Sequence, residues 1–445
     1  MLAFFLKALD GVDVVGLSTA GMPYQFWDEY FLILSLLPQN RTRLYNLQIE
    51  VSNLYLQNMI PRIAAETLKR LAKGFPVVAL TGPRQSGKTT LAKWVFQDKP
   101  YVSLENPEER EFAKTDPKRF LARYSQGAIL DEVQRCPELL SWLQGLVDER
   151  GLMGDFVLTG SAQFELIEGM SQSLAGRVGR VELLPLSAAE LSASGQLPPM
   201  LAQALLIGGY PALFDRPVSP QDWFANYMAT YVERDVRQLI AVRDLGQFQL
   251  FVKMCAARTG QLLNLAALAA DCGISAVTAK QWLSVLEASY VVMLLKPHHQ
   301  NFGKRLVKSP KLYFVDAALA AWLMGIRDAA TLEIHPARGA LFETWVVSEM
   351  HKHSLNQGQA SPLYFWRDST GHEVDVVLET PLGLRPIEIK SGSTFASDWL
   401  TGLSKWLKIA NDNPQAPHLV YGGDESYERN GVNVWSWRES WKACV

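Results

Sequence analysis

Cysteine is scarce in this chain, with four among 445 residues: Cys136, Cys255, Cys272 and Cys444. Their wide spacing excludes a disulfide framework and a cysteine-type zinc site, and a reducing cytoplasm is the expected compartment. Neither sign of charge dominates. With 43 Lys+Arg against 45 Asp+Glu the net charge is −2, which excludes a globally basic nucleic-acid-coating protein. Long hydrophobic runs are missing as well. The longest uncharged stretch, Leu191–Phe214, is broken by Pro198, Pro199, Pro211 and the Gly208–Gly209 pair, so it cannot be one spanning helix. Tyr30–Pro38 is too short to span. The opening MLAFFLKALDG has no basic leading region and is cut by Lys7 and Asp10, so neither a signal peptide nor membrane association is expected. A 48% hydrophobic share excludes a mainly disordered chain, and the length suggests two to four domains.

What is present is patterned from residue 59 onward. Residues 1–58 carry no clear period and no motif, so Met59 is a candidate true start; the alternative is a real appended arm. After it, MIPRIAAETLKRLAKGFPVVAL reads as an amphipathic helix leading into a strand. Ile63, Leu68 and Leu71 lie near helical spacing, and Gly74 and Pro76 end the helix.

Pro76–Leu80 is an apolar run typical of a buried strand. Gly82-Pro83-Arg84-Gln85-Ser86-Gly87-Lys88-Thr89 follows, and Thr90–Phe96 is a helical pattern. This is G-x4-G-K-T in its required strand–loop–helix setting. Glycines let the backbone wrap closely around phosphates, and successive N–H groups and the helix N-terminus face the anion. Gly82 through Thr90 is therefore the expected ATP-binding loop. Lys88 would reach the β- and γ-phosphates, and the Thr89 hydroxyl would bind Mg2+.

A second acidic element lies at suitable distance. Gly127–Glu132 is an apolar strand ending in two acids, and open α/β sheets bind ligand at such strand ends. Asp131 would hold Mg2+, and Glu132 would polarise the attacking water. A third strand, Phe156–Ser161, places Thr159 where a hydroxyl can sense the γ-phosphate, with an ordinary strand-end cap as the bland alternative. Arg177 or Arg180 could supply charge to the transition state, in cis or across a subunit interface; a surface salt bridge is the other reading.

GPRQSGKTT, YVSLENPEER, ILDEVQ, LTGSAQ, SLAGRV and PLSAAEL occur in the order of a prokaryotic AAA-type ATPase family whose members carry a C-terminal domain of unknown function. GGYPALF, NYMATYVERDVRQL, KRLVKSPKLYFVDAALA and GALFETWVVSE resemble that C-terminal domain. The similarity runs from Met59 to the C-terminus. It implies an ASCE-type core with a Walker A loop at Gly82–Thr89, a Walker B strand ending at Asp131–Glu132 and a sensor near Thr159. It implies no substrate. Rings are common among AAA-type proteins, so an oligomer is left open by analogy.

Residues 221–295 read as helical. Leu262–Ser275 followed by Ala276–Leu286 is a helix, a Gly273-containing turn and a Ser-capped second helix, the helix-turn-helix pattern. Tyr290–Leu295 resembles a wing strand, so a winged helix is expected, with Ser275, Thr278, Lys280 and Gln281 on the recognition helix. Such modules bind either DNA or protein. From Ala288 to Val315 there are five cations (Lys296, Lys304, Arg305, Lys308, Lys311), no acid, and interleaved His298, His299 and Phe302. This stretch could track a phosphate backbone. Alternatively it is a solvated loop, or its cations serve the acids of the neighbouring domain. The adjacent histidines lack a third metal ligand nearby.

In the last third, Gly339–Glu349 reads as a helix, and Glu373–Glu379 and Arg385–Lys390 as strands joined by Thr-Pro-Leu-Gly. With the turn centred between Pro381 and Leu382, Asp375 falls opposite Glu388, about 4.5–5.5 Å apart at Cβ. Glu388 and Lys390 share a face. Opposed carboxylates repel, and a divalent cation between them turns that cost into binding. Glu343 would be a further ligand, and Lys390 would orient or activate a water. The set resembles the PD-(D/E)XK nuclease superfamily: a helix Glu, a strand Asp, then E-x-K.

The expected fold is thus α/β, an ASCE/AAA-type P-loop core followed by a winged-helix segment and a restriction-endonuclease-like α/β domain. The expected divisions are an extension (1–58), the ATPase domain (59–200), a helical and winged-helix segment (201–310) and the nuclease-like domain (311–445). The expected activity is Mg2+-dependent ATP hydrolysis coupled to a DNA- or protein-binding C-terminal half. The alternatives are an ATP-gated metal-dependent DNase and a nucleotide-dependent interaction switch.

Overall fold

The structure, a computed structural model, describes residues 59–161, 173–232, 245–298, 307–410 and 415–445. Residues 1–58 and, in the basic stretch, His299, Phe302, Lys304 and Arg305 lie outside them.

The first layer grows from strands apolar on both faces. Helix α1 (Ala64–Ala72) leads into β1 (Val77–Gly82), whose six residues are all buried. A strand buried on both faces must lie inside a sheet covered on both sides. It does: β2 (Tyr101–Ser103), β3 (Ala128–Asp131), β4 (Phe156–Ser161) and β5 (Val178–Glu182) complete a parallel sheet of order β2-β3-β4-β1-β5. Alternate residues serve opposite cores. Val77, Ala79, Leu130 and Leu158 join Leu139, Leu140, Leu143 and Val147 of α3 (Leu139–Arg150). Val78, Leu80, Ile129 and Val157 pack with α1 and with α2 (Lys88–Val95). Strand β4 lies between the P-loop strand and the acidic strand, as the ASCE reading requires. Helix α4 (Ala188–Ala193) follows β5 and starts with a capping box of Ser187 and Glu190.

The middle segment holds α5 (Leu245–Ala256), β6 (Gln261–Leu262), α6 (Leu265–Asp271), α7 (Ala276–Ala288), β7 (Val292–Leu295) and β8 (Lys311–Phe314). The strands form an antiparallel sheet of order β6-β8-β7. Ser275 caps α7 by accepting from the Thr278 N–H, and Gly273, at φ 65°, makes the turn before it. The division expected at 310/311 falls too early. Strand β8 pairs with β6 and β7, so Lys311–Phe314 closes this sheet and does not open the next domain.

The C-terminal region starts with the 19-residue α8 (Arg338–Asn356). Strands β9 (Leu363–Arg367), β10 (Glu373–Thr380), β11 (Gly383–Lys390), β12 (His418–Tyr421), β13 (Tyr427–Arg429) and β14 (Val432–Ser436) form a mixed sheet of order β13-β14-β12-β11-β10-β9, with α9 (Thr401–Ile409) between β11 and β12 in sequence. The register from Val376↔Ile387 to Thr380↔Gly383 centres the β10–β11 turn between Pro381 and Leu382, where the sequence put it. Helix α8 also reaches the first layer, where the Thr67 hydroxyl of α1 donates to the Asn356 carbonyl at 2.8 Å. No helix among the described residues is long and apolar enough to cross a membrane.

Candidate functional site

The P-loop sits at the C-terminal end of β1. A Cβ on Gly82 would lie 2.2 Å from the Leu183 carbonyl oxygen, so only glycine lets the chain leaving β5 pass so close. Gly87, at φ 89°, is the N-cap of α2, and the buried Lys88 ammonium donates to the carbonyls of Gly82 (3.0 Å) and Pro83 (2.7 Å). Its charge thus lies inside the loop, where a phosphate chain would be wrapped. Gln85 of the loop accepts from the Trp223 indole N–H at 3.1 Å. Trp223 stacks on Tyr227, ring centres 4.8 Å apart, and lies 4.4 Å from Tyr210, so an aromatic cluster of the middle segment touches the P-loop.

Asp131 gathers hydroxyls. Its Oδ1 accepts from Thr89 at 3.0 Å and from Thr159, and its Oδ2 accepts from Tyr101 at 2.7 Å. The expected metal pair and the expected sensor therefore meet on one carboxylate. Next to it, Glu132 adopts a left-handed backbone (φ 55°, ψ 44°), a region sparsely populated by residues other than glycine. Strain of this kind collects where a side chain must be aimed. Burial pushes the Glu132 carboxyl above the ordinary carboxylate range, Asp131 adds to the rise, and Lys88, Arg84 and Gln134 oppose it. The Gln134 amide bridges the two strand ends, donating to Glu132 and, at 3.0 Å, to the Ser161 hydroxyl.

Arg62 braces the loop from behind. Its guanidinium donates to the Ser86 carbonyl (2.7 Å) and the Leu184 carbonyl (2.7 Å) and pairs with buried Glu190 (3.1 Å). Removing one member of a buried pair strands the other and costs about 3–5 kcal/mol. Arg62→Met is accordingly expected to lower the thermal midpoint and raise KM for ATP; a variant with both unchanged would refute the brace.

Arg177 requires a correction. Its backbone carbonyl accepts from Val77 N–H at the start of β1, and its side chain pairs with Asp148 at 2.6 Å on the surface. The P-loop is at the other end of that strand, roughly 17 Å away at about 3.3 Å per residue. Arg177 therefore cannot serve the P-loop of its own chain. Arg180 pairs with its neighbour Glu182 at 2.8 Å.

The C-terminal carboxylates also converge, with one change of membership. One oxygen each of Glu343, Glu373 and Asp375 lies within 4.8 Å of the others. Glu388 is not among the three. Its carboxylate turns to Lys390, whose ammonium also lies 3.8 Å from Asp375. Asp375 accepts the Ile389 N–H at 2.8 Å, beyond the last ladder pair Val376↔Ile387, and it stays close enough to Glu388 to share Lys390 with it. Glu373, two residues before Asp375 on the same strand face, supplies the third converging oxygen. Burial and Asp375 push the Glu388 carboxyl up to about 8, against the pull of Lys390.

Two further residues reach this cluster from β8. The Lys311 ammonium pairs with Glu343 at 2.9 Å and with Glu373, and the Tyr313 hydroxyl donates to Glu343 at 2.5 Å. Burial depresses the Lys311 ammonium, but Glu343, Asp375 and Glu373 outweigh it and hold its pKa above that of a free lysine. The Glu343 carboxyl is raised by burial and by Asp375, against Lys311 and Tyr313. Of the readings open for the basic stretch, Lys311 fits the one in which a cation serves a neighbouring domain's acids.

A parallel α/β core with a glycine loop gripping a buried lysine, and an acidic strand end beside it, defines a P-loop ATPase-type protein. The comparisons agree. Residues 74–192 match the AAA domain family, residues 199–330 a domain of unknown function (DUF8612), and residues 338–439 a domain of unknown function (DUF4143). The chain is 36% identical over 374 residues to the uncharacterized proteins Mb2031c of Mycobacterium bovis and Rv2008c of Mycobacterium tuberculosis, covering 82% of this chain and 81% of each relative. It belongs to this family of AAA-domain proteins with a C-terminal DUF4143 domain. Among solved structures it is similar to the Walker-type ATPase PABY2304 of Pyrococcus abyssi (13% identity, 60% of this chain, 96% of that one, TM-score 0.42). It is also similar to a RuvB variant of Thermotoga maritima (19% identity, 52% and 86%, TM-score 0.26).

Proposed function

We propose that the chain is a cytoplasmic Mg2+-dependent ATPase whose hydrolytic cycle drives rearrangement of a partner-binding C-terminal half. Gly82–Thr90 would hold the phosphates, Lys88 the β- and γ-phosphates, and Thr89 with Asp131 the Mg2+. Glu132 would polarise the attacking water, and Thr159 would report the γ-phosphate to Asp131. The observation that carries this reading is the meeting of Thr89, Thr159 and Glu132 around Asp131 at the mouth of the P-loop.

The order helix–strand–helix–helix–strand–strand, with sheet order β6-β8-β7, favours a winged helix in the middle segment. Its partner is DNA or protein. ATP hydrolysis by the full chain, measured with and without DNA, decides between them. Stimulation is expected for a DNA partner, and indifference would point to protein. Lys88→Ala is expected to abolish both ATP binding and turnover, and unchanged turnover in a folded variant would overturn the ATPase reading.

A second reading rests on the converging oxygens of Glu343, Glu373 and Asp375, with Lys390 beside them. A PD-(D/E)XK-like domain would hold Mg2+ or Mn2+ there and cleave DNA by metal-assisted attack of water. Cleavage in either metal, lost in Asp375→Ala, is the expected sign. Absence of cleavage with any metal and any form of DNA would leave an interaction switch without nuclease activity.

A further inference from the structure

Lys311 is out of place for an ordinary surface lysine. Its side chain is 3% exposed, and a buried ammonium is stable only where its charge is matched. It is delivered by β8, a strand of the middle sheet, paired there with Leu262 of β6 and Leu295 of β7. Lys311 and Tyr313, two apart on one strand face, meet the Glu343 carboxylate of α8, while Leu312 and Phe314 are fully buried in the hydrophobic core. The ammonium bridges Glu343 and Glu373, two of the three residues whose oxygens converge. Two more cations stand against the same carboxylates. Arg367 pairs with the other oxygen of Glu373 at 2.9 Å, and Lys390 lies 3.8 Å from Asp375.

A divalent ion would need an oxygen of each of these carboxylates at about 2.0–2.6 Å. That places it within roughly 4–6 Å of the lysine nitrogen, where the two cations repel across a poorly solvated space. Glu343 Oε1 already carries the donors from Lys311 and Tyr313. Occupation by the ammonium and by a metal ion are therefore alternatives.

We propose that Lys311 is a tethered cation that fills the C-terminal carboxylate cluster, so that a divalent metal binds there only when β8 withdraws the ammonium. The proposal rests on the reading of the cluster as a metal site and supplies its control: the middle sheet, which binds the partner in that reading, carries the plug. The nuclease-like site would be closed in this resting arrangement and opened by whatever shifts β8 against α8.

The test is Mn2+ binding to the full, nucleotide-free chain by isothermal titration calorimetry. Wild type should bind weakly, and Lys311→Met at least about tenfold more tightly, with the gain lost in Lys311→Met combined with Asp375→Asn. Equal, measurable affinity in wild type and Lys311→Met would overturn the plug and leave the metal site standing. No binding in either would overturn the metal reading and the plug with it. Should Lys311→Met fold poorly, its thermal midpoint provides the second measurement. Mn2+ should raise that midpoint by more than it raises the wild type's, and an equal response would count against the proposal.

Discussion

Glu132→Gln is expected to reduce kcat for ATP hydrolysis by about 10²–10⁴-fold, the range for loss of a positioned general base, with nucleotide affinity nearly unchanged. The substitution keeps shape and removes only the charge that can take a proton from water. The phosphate-binding loop and the Asp131 hydroxyl cluster are untouched by it. In the proposed role the charged form of Glu132 is the working form, and burial with Asp131 raises its pKa above the ordinary carboxylate value of 4.5. The acid limb of the kcat–pH profile should therefore lie above that value, with activity lost as pH falls through it. Gln134 donates to Glu132 and favours its charged form. Gln134→Ala should consequently move the acid limb further upward. Turnover of Glu132→Gln within threefold of wild type, or an unmoved limb in Gln134→Ala, would remove Glu132 from the hydrolytic role.

How much of this site was legible in sequence depends on how local each contact is. The P-loop was readable because strand, glycine loop and helix follow one another within 20 residues, and each step has its own physical signature. Asp131 and Glu132 were readable as acids ending an apolar strand. Tyr101 was not, because it reaches Asp131 only through the pairing of β2 with β3, and nothing in its own segment announces that neighbour. Arg62 was missed for a similar reason: its partners Ser86, Leu184 and Glu190 are 24 to 128 residues away in sequence. Arg177 was misplaced because a motif gives no sheet end, and the strand register puts it at the wrong one.

The C-terminal cluster divides along the same line. The turn centre was recoverable from hairpin arithmetic. The convergence of Glu373 with Glu343 and Asp375 was not, because it depends on where α8 and β10 bring their side chains together in space. Period-two alternation would have put Glu373 on the face of Asp375 and offered it as a candidate. Lys311 and Tyr313 carried a weaker signal, a lysine and a tyrosine two apart in an otherwise apolar strand.

Helix α8 joins the two halves, and Lys352→Met is expected to cost about 3–5 kcal/mol of stability because it strands a buried carboxylate there. Lys352 pairs with Glu349 at 2.7 Å and donates to the Leu186 carbonyl at 3.1 Å, while Glu349 accepts the Ala188 N–H of α4 at 2.6 Å. Both residues are buried, and Glu343 lies six positions earlier on the same helix, about 9 Å away along its axis. One helix thus carries an anchor on the ATPase layer and a carboxylate of the C-terminal cluster. Burial already holds the Glu349 carboxyl above the ordinary range, against Lys352. Without Lys352 it rises further. A carboxyl whose pKa is higher in the folded than in the unfolded chain binds its proton preferentially when folded, so stability falls as pH rises from the unfolded value upward. The loss in Lys352→Met should therefore be larger at pH 8 than at pH 5 in urea denaturation. Replacing both partners, as Glu349→Gln with Lys352→Met, removes both charges of the pair and should recover most of the loss. An equal, pH-independent loss in the single and double variants would mean that the pair does not anchor α8 through its charge.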